Sequence, residues 1–247
     1  MNITVVIPTF NSMKYVDQCL DSVLAQTYED MEVIVYDNES TDGTYEHLKG
    51  RKAEGEDFNI ISIPNIYPYS FLEAVLDVTK NSKSDYVTFI SSDDYIDKNY
   101  IANNMNLIEK TKPGISVQSG LIWVNELGEA VQKRIHDYDS IDEFKEMCLS
   151  LSPVNSPTVF YHKSIWPIIL EVREAHAKNE LPEIGVGDYD MWCGLADRGI
   201  PICPISKCLG YFYRWNEDQC TWKVKEHPVD YDKIIQQYWR EKWSLNE

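Results

Sequence analysis

The sequence predicts an α/β protein in which helices cover a mostly parallel central sheet and the second half of the chain turns mixed. Three observations predict it. Short β-branched runs alternate with helical patterns through the first hundred residues, at the spacing of strand–helix–strand units. A strong stop, Lys112-Pro113-Gly114, then ends that alternation. The chain has 247 residues and is 43% hydrophobic, enough to bury a core shared by both halves.

Ile3 to Pro8 reads as the first strand. Val16, Cys19, Leu20, Val23 and Leu24 recur at helical spacing, so a helix with one buried stripe is predicted from about Lys14 to Gln26. Glu32 to Asp37 forms the second strand, and the turn Ser40-Thr41-Asp42-Gly43 opens another helix near Thr44. Asn59 to Ile63 is a short third strand. Tyr69 to Lys80 is a helix carrying Phe71, Leu72, Val75 and Leu76, and Tyr86 to Ser91 is the central strand. A helix follows from about Lys98 to Thr111.

Beyond the stop, Ile115 to Asn125 and Ala130 to Arg134 flank Glu126-Leu127-Gly128 as a hairpin, and Ser140-Ile141-Asp142-Glu143 is a capping box opening a helix toward Ser150. Trp192, Tyr211, Tyr213, Trp215 and Trp222 concentrate in this half, a composition that suits a sugar- or partner-binding surface as well as a core. No repeat or low-complexity linker intervenes, which predicts one continuous sheet with two functional lobes. The boundaries fall at 1–112, 113–228 and a C-terminal helix over 229–247.

Forty acidic against 23 basic residues give a formal charge of −17, which excludes a broad nucleic-acid or anionic-membrane surface. No apolar run approaches the roughly 18 to 20 residues that span a bilayer, so no integral membrane segment is expected. The start Met1-Asn2-Ile3 lacks a basic region followed by a cleavable apolar stretch. The cysteines at 19, 148, 193, 203, 208 and 220 form no C-x-x-C pair and sit mostly among apolar neighbours, the pattern of reduced thiols in a cytoplasm.

The chemistry is carried by acids. Asp93 and Asp94 stand side by side after the apolar run Tyr86 to Ile90. Adjacent carboxylates repel, and a divalent cation relieves them; oxygen ligands suit Mg or Mn rather than Zn. Asp37 closes the second strand, while Asp42 caps the turn that follows. The first strand ends in Pro8-Thr9-Phe10-Asn11 with no glycine-rich phosphate loop, which disfavours a dinucleotide oxidoreductase or a P-loop NTPase.

Val6 to Asn11, Val35 to Thr44 and Phe89 to Ile96, in that order and spacing, resemble the three signatures of family 2 glycosyltransferases. The resemblance implies a GT-A fold, a Rossmann-like sandwich with an acceptor-side half that is mixed. It implies metal-dependent, inverting transfer of a sugar from a nucleotide-diphosphate sugar, a UDP-sugar by preference, to a hydroxyl of a carbohydrate or glycolipid, as in polysaccharide biosynthesis. Pro8, Thr9, Asn11 and Asp37 would then line the base pocket, Asp93 the ribose, and Asp94 with Asp93 the Mn or Mg site. Gly185 to Trp192 resembles the family's acid-rich segment, which puts the catalytic base on Asp188, with Asp190 next in line. Tyr213 to Asn216 resembles a motif near the diphosphate, which adds Arg214 to the donor site.

Four departures from the family pattern stand out: Ser91, Gly187 and Asn216 replace Asp, Glu and His, and Glu73 lies in a helix with no Lys or Arg before Lys80. Arg214, Lys223 and Lys225 are the cations left to compensate. The same departures motivate the alternative of a relative that binds nucleotide-sugar or glycan without transferring.

Overall fold

The computed structural model describes residues 1–63, 78, 81–177, 187–205, 208–216 and 229–244. The helix predicted over Tyr69 to Lys80 lies outside them apart from Val78, as do Glu73, Gly185, Cys220, Trp222, Lys223 and Lys225.

β1 (Ile3–Thr9) is the organising strand, parallel to β2 (Met31–Asp37) on one side and β4 (Tyr86–Phe89) on the other. Beyond β2 lies parallel β3 (Asn59–Ser62). Beyond β4 lies β9 (Val159–His162), antiparallel to both β4 and β6 (Val117–Gln118), and then β10 (Cys203–Pro204), parallel to β6. The seven-stranded order is β10-β6-β9-β4-β1-β2-β3, so β9 alone runs against the rest.

The two faces of this sheet separate by strand alternation. Ile3, Val5 and Ile7 pack with Val16, Cys19, Leu20 and Val23 of α1 (Val16–Leu24), Leu48 of α2 (Thr44–Ala53), and Ile101, Met105 and Ile108 of α3 (Tyr100–Thr111). Val6, Ile34, Tyr36 and Phe89 face the opposite layer. That layer contains Phe144 of α4 (Ile141–Cys148), Ile169 of α5 (Trp166–Ala177), Trp192 of α6 (Gly187–Asp197), and Trp239 of α7 (Tyr231–Ser244). Ser140 caps α4 by accepting from Glu143 N at 3.1 Å, as the capping box predicted, while the Glu143 carboxylate reaches one residue further back and accepts from Asp139 N at 2.7 Å.

The expected single continuous sheet is corrected: among the described residues there are two. A second sheet, ordered β5-β11-β7-β8, is built from β5 (Tyr95–Ile96), β11 (Tyr211–Arg214), β7 (Leu121–Val124) and β8 (Ala130–Arg134). The segment read as one strand, Ile115 to Asn125, splits at Ser119-Gly120. Side chains there replace a strand partner: Ser119 N donates to Thr158 Oγ1 at 3.2 Å, and Asn155 Nδ2 donates to Ser119 O at 3.2 Å. With its polar groups met this way, the peptide leaves the first ladder and starts the second. The β7–β8 hairpin through Glu126-Leu127-Gly128 is as the sequence suggested.

Candidate active site

Strand order reverses direction at β1, since β2 and β3 lie to one side and β4 to the other. Such a switch point opens a crevice at the carboxyl ends of the strands. Thr9 and Asp37 are register partners at that edge. Asp37 is 1% exposed, and its carboxylate accepts from Ser40 N at 3.0 Å and Ser40 Oγ at 2.6 Å. Asn11, at φ 49°, accepts from Thr41 N at 2.7 Å through Oδ1, tying the loop after β1 to the loop after β2. Asp42 caps the turn before α2 as expected, accepting from Thr44 N at 3.0 Å, with Met13 N on its other oxygen at 3.1 Å; the N-cap of α2 itself is Gly43. Burial works against its ionisation, but these hydrogen bonds prevail and hold its carboxyl below the usual range.

The acid loop after β4 enters the same edge. The hydroxyls of Ser92 and Ser12 meet at 2.6 Å, joining it to the loop after β1. The two acids then differ in their surroundings. Asp94 is 1% exposed, accepting from Arg214 N at 2.7 Å on Oδ1 and from Tyr211 OH at 2.7 Å on Oδ2. Burial, and then repulsion by Asp93, push its carboxyl well above the ordinary value against those hydrogen bonds. Asp93 is only half-buried, and Asn216 Nδ2 donates to its Oδ2 at 2.8 Å.

Asp93 is the carboxylate of the pair that a divalent cation could reach. No group of three or more His, Cys, Asp or Glu side chains converges among the described residues. One reachable carboxylate still fits Mg or Mn, which are commonly held by one or two acids together with substrate phosphates and water.

Arg214 sits behind the acids. Its guanidinium donates from Nε to Asp93 O at 2.9 Å, from Nη1 to Glu126 O at 2.7 Å, and from Nη2 to Gln18 Oε1. It also lies over the rings of Tyr15 at 4.7 Å and Tyr95 at 5.4 Å. Each nitrogen is thus taken by the protein, and Arg214 positions the acid loop.

Asp188 opens α6 and is exposed. Ser156 Oγ donates to its Oδ2 at 2.5 Å, and Trp192 Nε1 donates to that same hydroxyl at 3.1 Å. Ser156 lies in the turn before β9. Because β9 runs antiparallel to β4, with Phe160 opposite Thr88, that turn stands at the carboxyl end of β4, the edge that carries the acid loop. Asp190 points elsewhere. It is buried and accepts from Trp239 Nε1 at 2.7 Å, holding α7 against α6. Asp190→Ala would leave that indole N–H without its acceptor, so a loss of about 1–3 kcal/mol is expected. Calorimetric unfolding reads it as a Tm roughly 2–10 °C lower, and an unchanged Tm would contradict the assignment.

Sequence reasoning missed Tyr211 as the partner of Asp94 and Ser156 as the partner of Asp188. The first link spans 117 positions and the second 32, and no local pattern announces either.

Known proteins resemble this chain in sequence and in fold. The model of "Glycosyl transferase family 2" matches residues 4–166. Glycosyltransferase GlyA of Streptococcus pneumoniae is 31% identical over 57% of this chain and 21% of its own length. The poly(ribitol-phosphate) beta-glucosyltransferase of Bacillus spizizenii is 32% identical over 65% of this chain and 24% of its own. The chain therefore spans about a quarter or less of these two relatives. Among solved structures, S. aureus TarS in complex with UDP-GlcNAc superposes at a TM-score of 0.63, with 20% identity, over 93% of this chain and 62% of that one. A Pyrobaculum calidifontis mannosyltransferase with GDP-Man and Mn2+ gives 0.58 at 14% identity, over 96% and 68%. Those neighbours share the GT-A fold, and with the family model covering most of the core strands, the chain belongs to glycosyl transferase family 2.

Proposed function

We propose that this chain transfers a hexose, with inversion and with a divalent metal, from a UDP-sugar to a hydroxyl of a carbohydrate or glycolipid acceptor. The observation that carries this reading is the gathering of Asp37, Asp93 and Asp188 at one edge of the sheet, with Asp93 and Asp188 accessible. The solved TarS complexes with UDP-GlcNAc and UDP support a nucleotide-sugar donor. The beta-glucosyltransferase names among the relatives support inversion.

Residues 1–112 would bind the donor, with Pro8, Thr9 and Asn11 lining the base pocket and Asp37 accepting from a base N–H. Residues 113–228 would bind the acceptor. Mn or Mg, held by Asp93, would supply charge stabilisation to the departing diphosphate. Asp94 keeps the loop in place through Tyr211 and Arg214. Asp188, aimed by Ser156, takes the proton of the acceptor hydroxyl as that oxygen bonds to the anomeric carbon on the face opposite the leaving group. Among the described residues no helix is long and apolar enough to cross a membrane. A cytoplasmic site of action goes with the reduced-thiol pattern.

One observation favours a second reading, a relative that binds without transferring. The Asn216 amide donates to Asp93 at 2.8 Å, on the carboxylate assigned to the cation. Calorimetry with UDP, with and without Mn, tests the metal site: binding should need Mn, and Asp93→Asn should weaken it by about tenfold or more, roughly 1.4 kcal/mol. Equal binding with and without Mn would remove the metal from the mechanism. Slow Mn-dependent hydrolysis of the UDP-sugar would mark the transferase, and its absence the binder.

A further inference from the structure

We infer that Arg134 and His136 form an oxyanion subsite on the acceptor side of Asp188, one that takes the phosphate of a phosphorylated acceptor. Arg134 is the last residue of β8 and is half-buried. Its Nε donates to His136 Nε2 at 2.9 Å, which fixes the plane of the guanidinium. Burial first, and then the Arg134 charge, lower the His136 pKa to about 4, so the imidazole is neutral near pH 7 and serves as an acceptor. Among the described residues no acceptor meets either Nη of Arg134. In a chain with 40 acids for 23 bases, a half-buried guanidinium lacking a carboxylate partner is unusual. Its two Nη groups present the fork that matches a phosphate.

The position of the fork decides which phosphate. Asn155 Nδ2 donates to Arg134 O at 3.4 Å, and the next residue, Ser156, donates to Asp188. Burial lowers the Arg134 pKa, and the groups that work against it, favouring the protonated guanidinium, are Tyr213 and then Asp188. The cation therefore belongs to the neighbourhood of the base. The acids lie at the other side of the second sheet: Arg134 pairs with Leu121, Leu121 with Tyr211, and Tyr211 with Ile96, two residues past Asp94. Three strand spacings separate them, about 14 Å. Trp123 and Tyr213 share the face of Arg134 by the same register and lie 6.5 Å apart, an apolar surface on which a sugar ring can rest beside the fork.

The proposal rests on the transferase reading for Asp188, and its test does not depend on turnover. Glycerol 3-phosphate is titrated into the full chain while NMR follows the His136 imidazole and the Trp123 indole. Saturable shifts are expected with glycerol 3-phosphate and not with glycerol, and Arg134→Gln should weaken the response about tenfold or more. Three results would overturn the proposal: no saturable response in the wild type, an equal response to glycerate, whose anion is a carboxylate, or an Arg134→Gln chain that responds like the wild type. The wild-type titration decides even if the variant does not fold. UDP with Mn is the donor arm. If its binding falls in Arg134→Gln as much as that of glycerol 3-phosphate, the anion is the donor's diphosphate and the acceptor assignment is lost. If UDP fails to bind the wild type while glycerol 3-phosphate still binds, the donor reading alone has failed.

Discussion

Asp188→Asn should lower sugar transfer by about 10²- to 10⁴-fold while leaving UDP affinity as it is. The substitution preserves shape, and the amide oxygen can still accept from Ser156 Oγ, so α6 and the turn before β9 keep their contact. On the proposed mechanism, what is lost is the basic oxygen that takes the acceptor proton. Because the base acts on the acceptor and not on the nucleotide, the loss falls on kcat, and UDP calorimetry serves as the control. Asp190 cannot stand in, since its carboxylate is buried against Trp239. Ser156→Ala should give a smaller loss of kcat, because it removes the aim of the base and keeps the base itself. Steady-state turnover by Asp188→Asn at the wild-type rate would displace the base from this residue.

Much of the fold was legible in the sequence because its signals are local. The helical stripe of Val16, Cys19, Leu20 and Val23, the stop at Lys112-Pro113-Gly114 and the capping box at Ser140 are each written within a dozen residues, and each appears in the fold. Asp42 could be assigned to capping for the same reason: its partner Thr44 is two positions away. What stayed hidden depends on distant partners. Nothing near Asp94 says that Tyr211 will take one of its oxygens and Arg214 N the other, which buries one member of a like-charged pair and leaves its neighbour half-buried. The division into two sheets was hidden too. Ile115 to Asn125 has the composition of one long strand, and it breaks because Asn155 and Thr158, remote in sequence, supply hydrogen bonds at Ser119.

Arg214 is where local and distant signals part most widely, and replacing it tests the scaffold as Asp188→Asn tests the chemistry. Arg214→Met keeps much of the apolar stem and removes the fork. Asp93 O, Glu126 O and Gln18 Oε1 each lose a charged donor, and buried Asp94 loses its nearest cation. Three acceptors left without their donor, at about 1–3 kcal/mol for each that stays dry, cost about 3–5 kcal/mol together. For a domain of this size that lowers the Tm by roughly 6–20 °C. Arg214→Lys should not restore it, since one ammonium cannot reach three acceptors held in different directions. UDP–Mn affinity should fall alongside stability, because Asp93 hangs on the same clamp. A residue that touched the diphosphate directly would behave otherwise: affinity would drop with Tm unmoved, and Lys would recover part of it. Thermal unfolding and UDP calorimetry on the two variants therefore separate a clamp from a ligand contact, and a Tm that stays at the wild-type value in Arg214→Met would end the clamp.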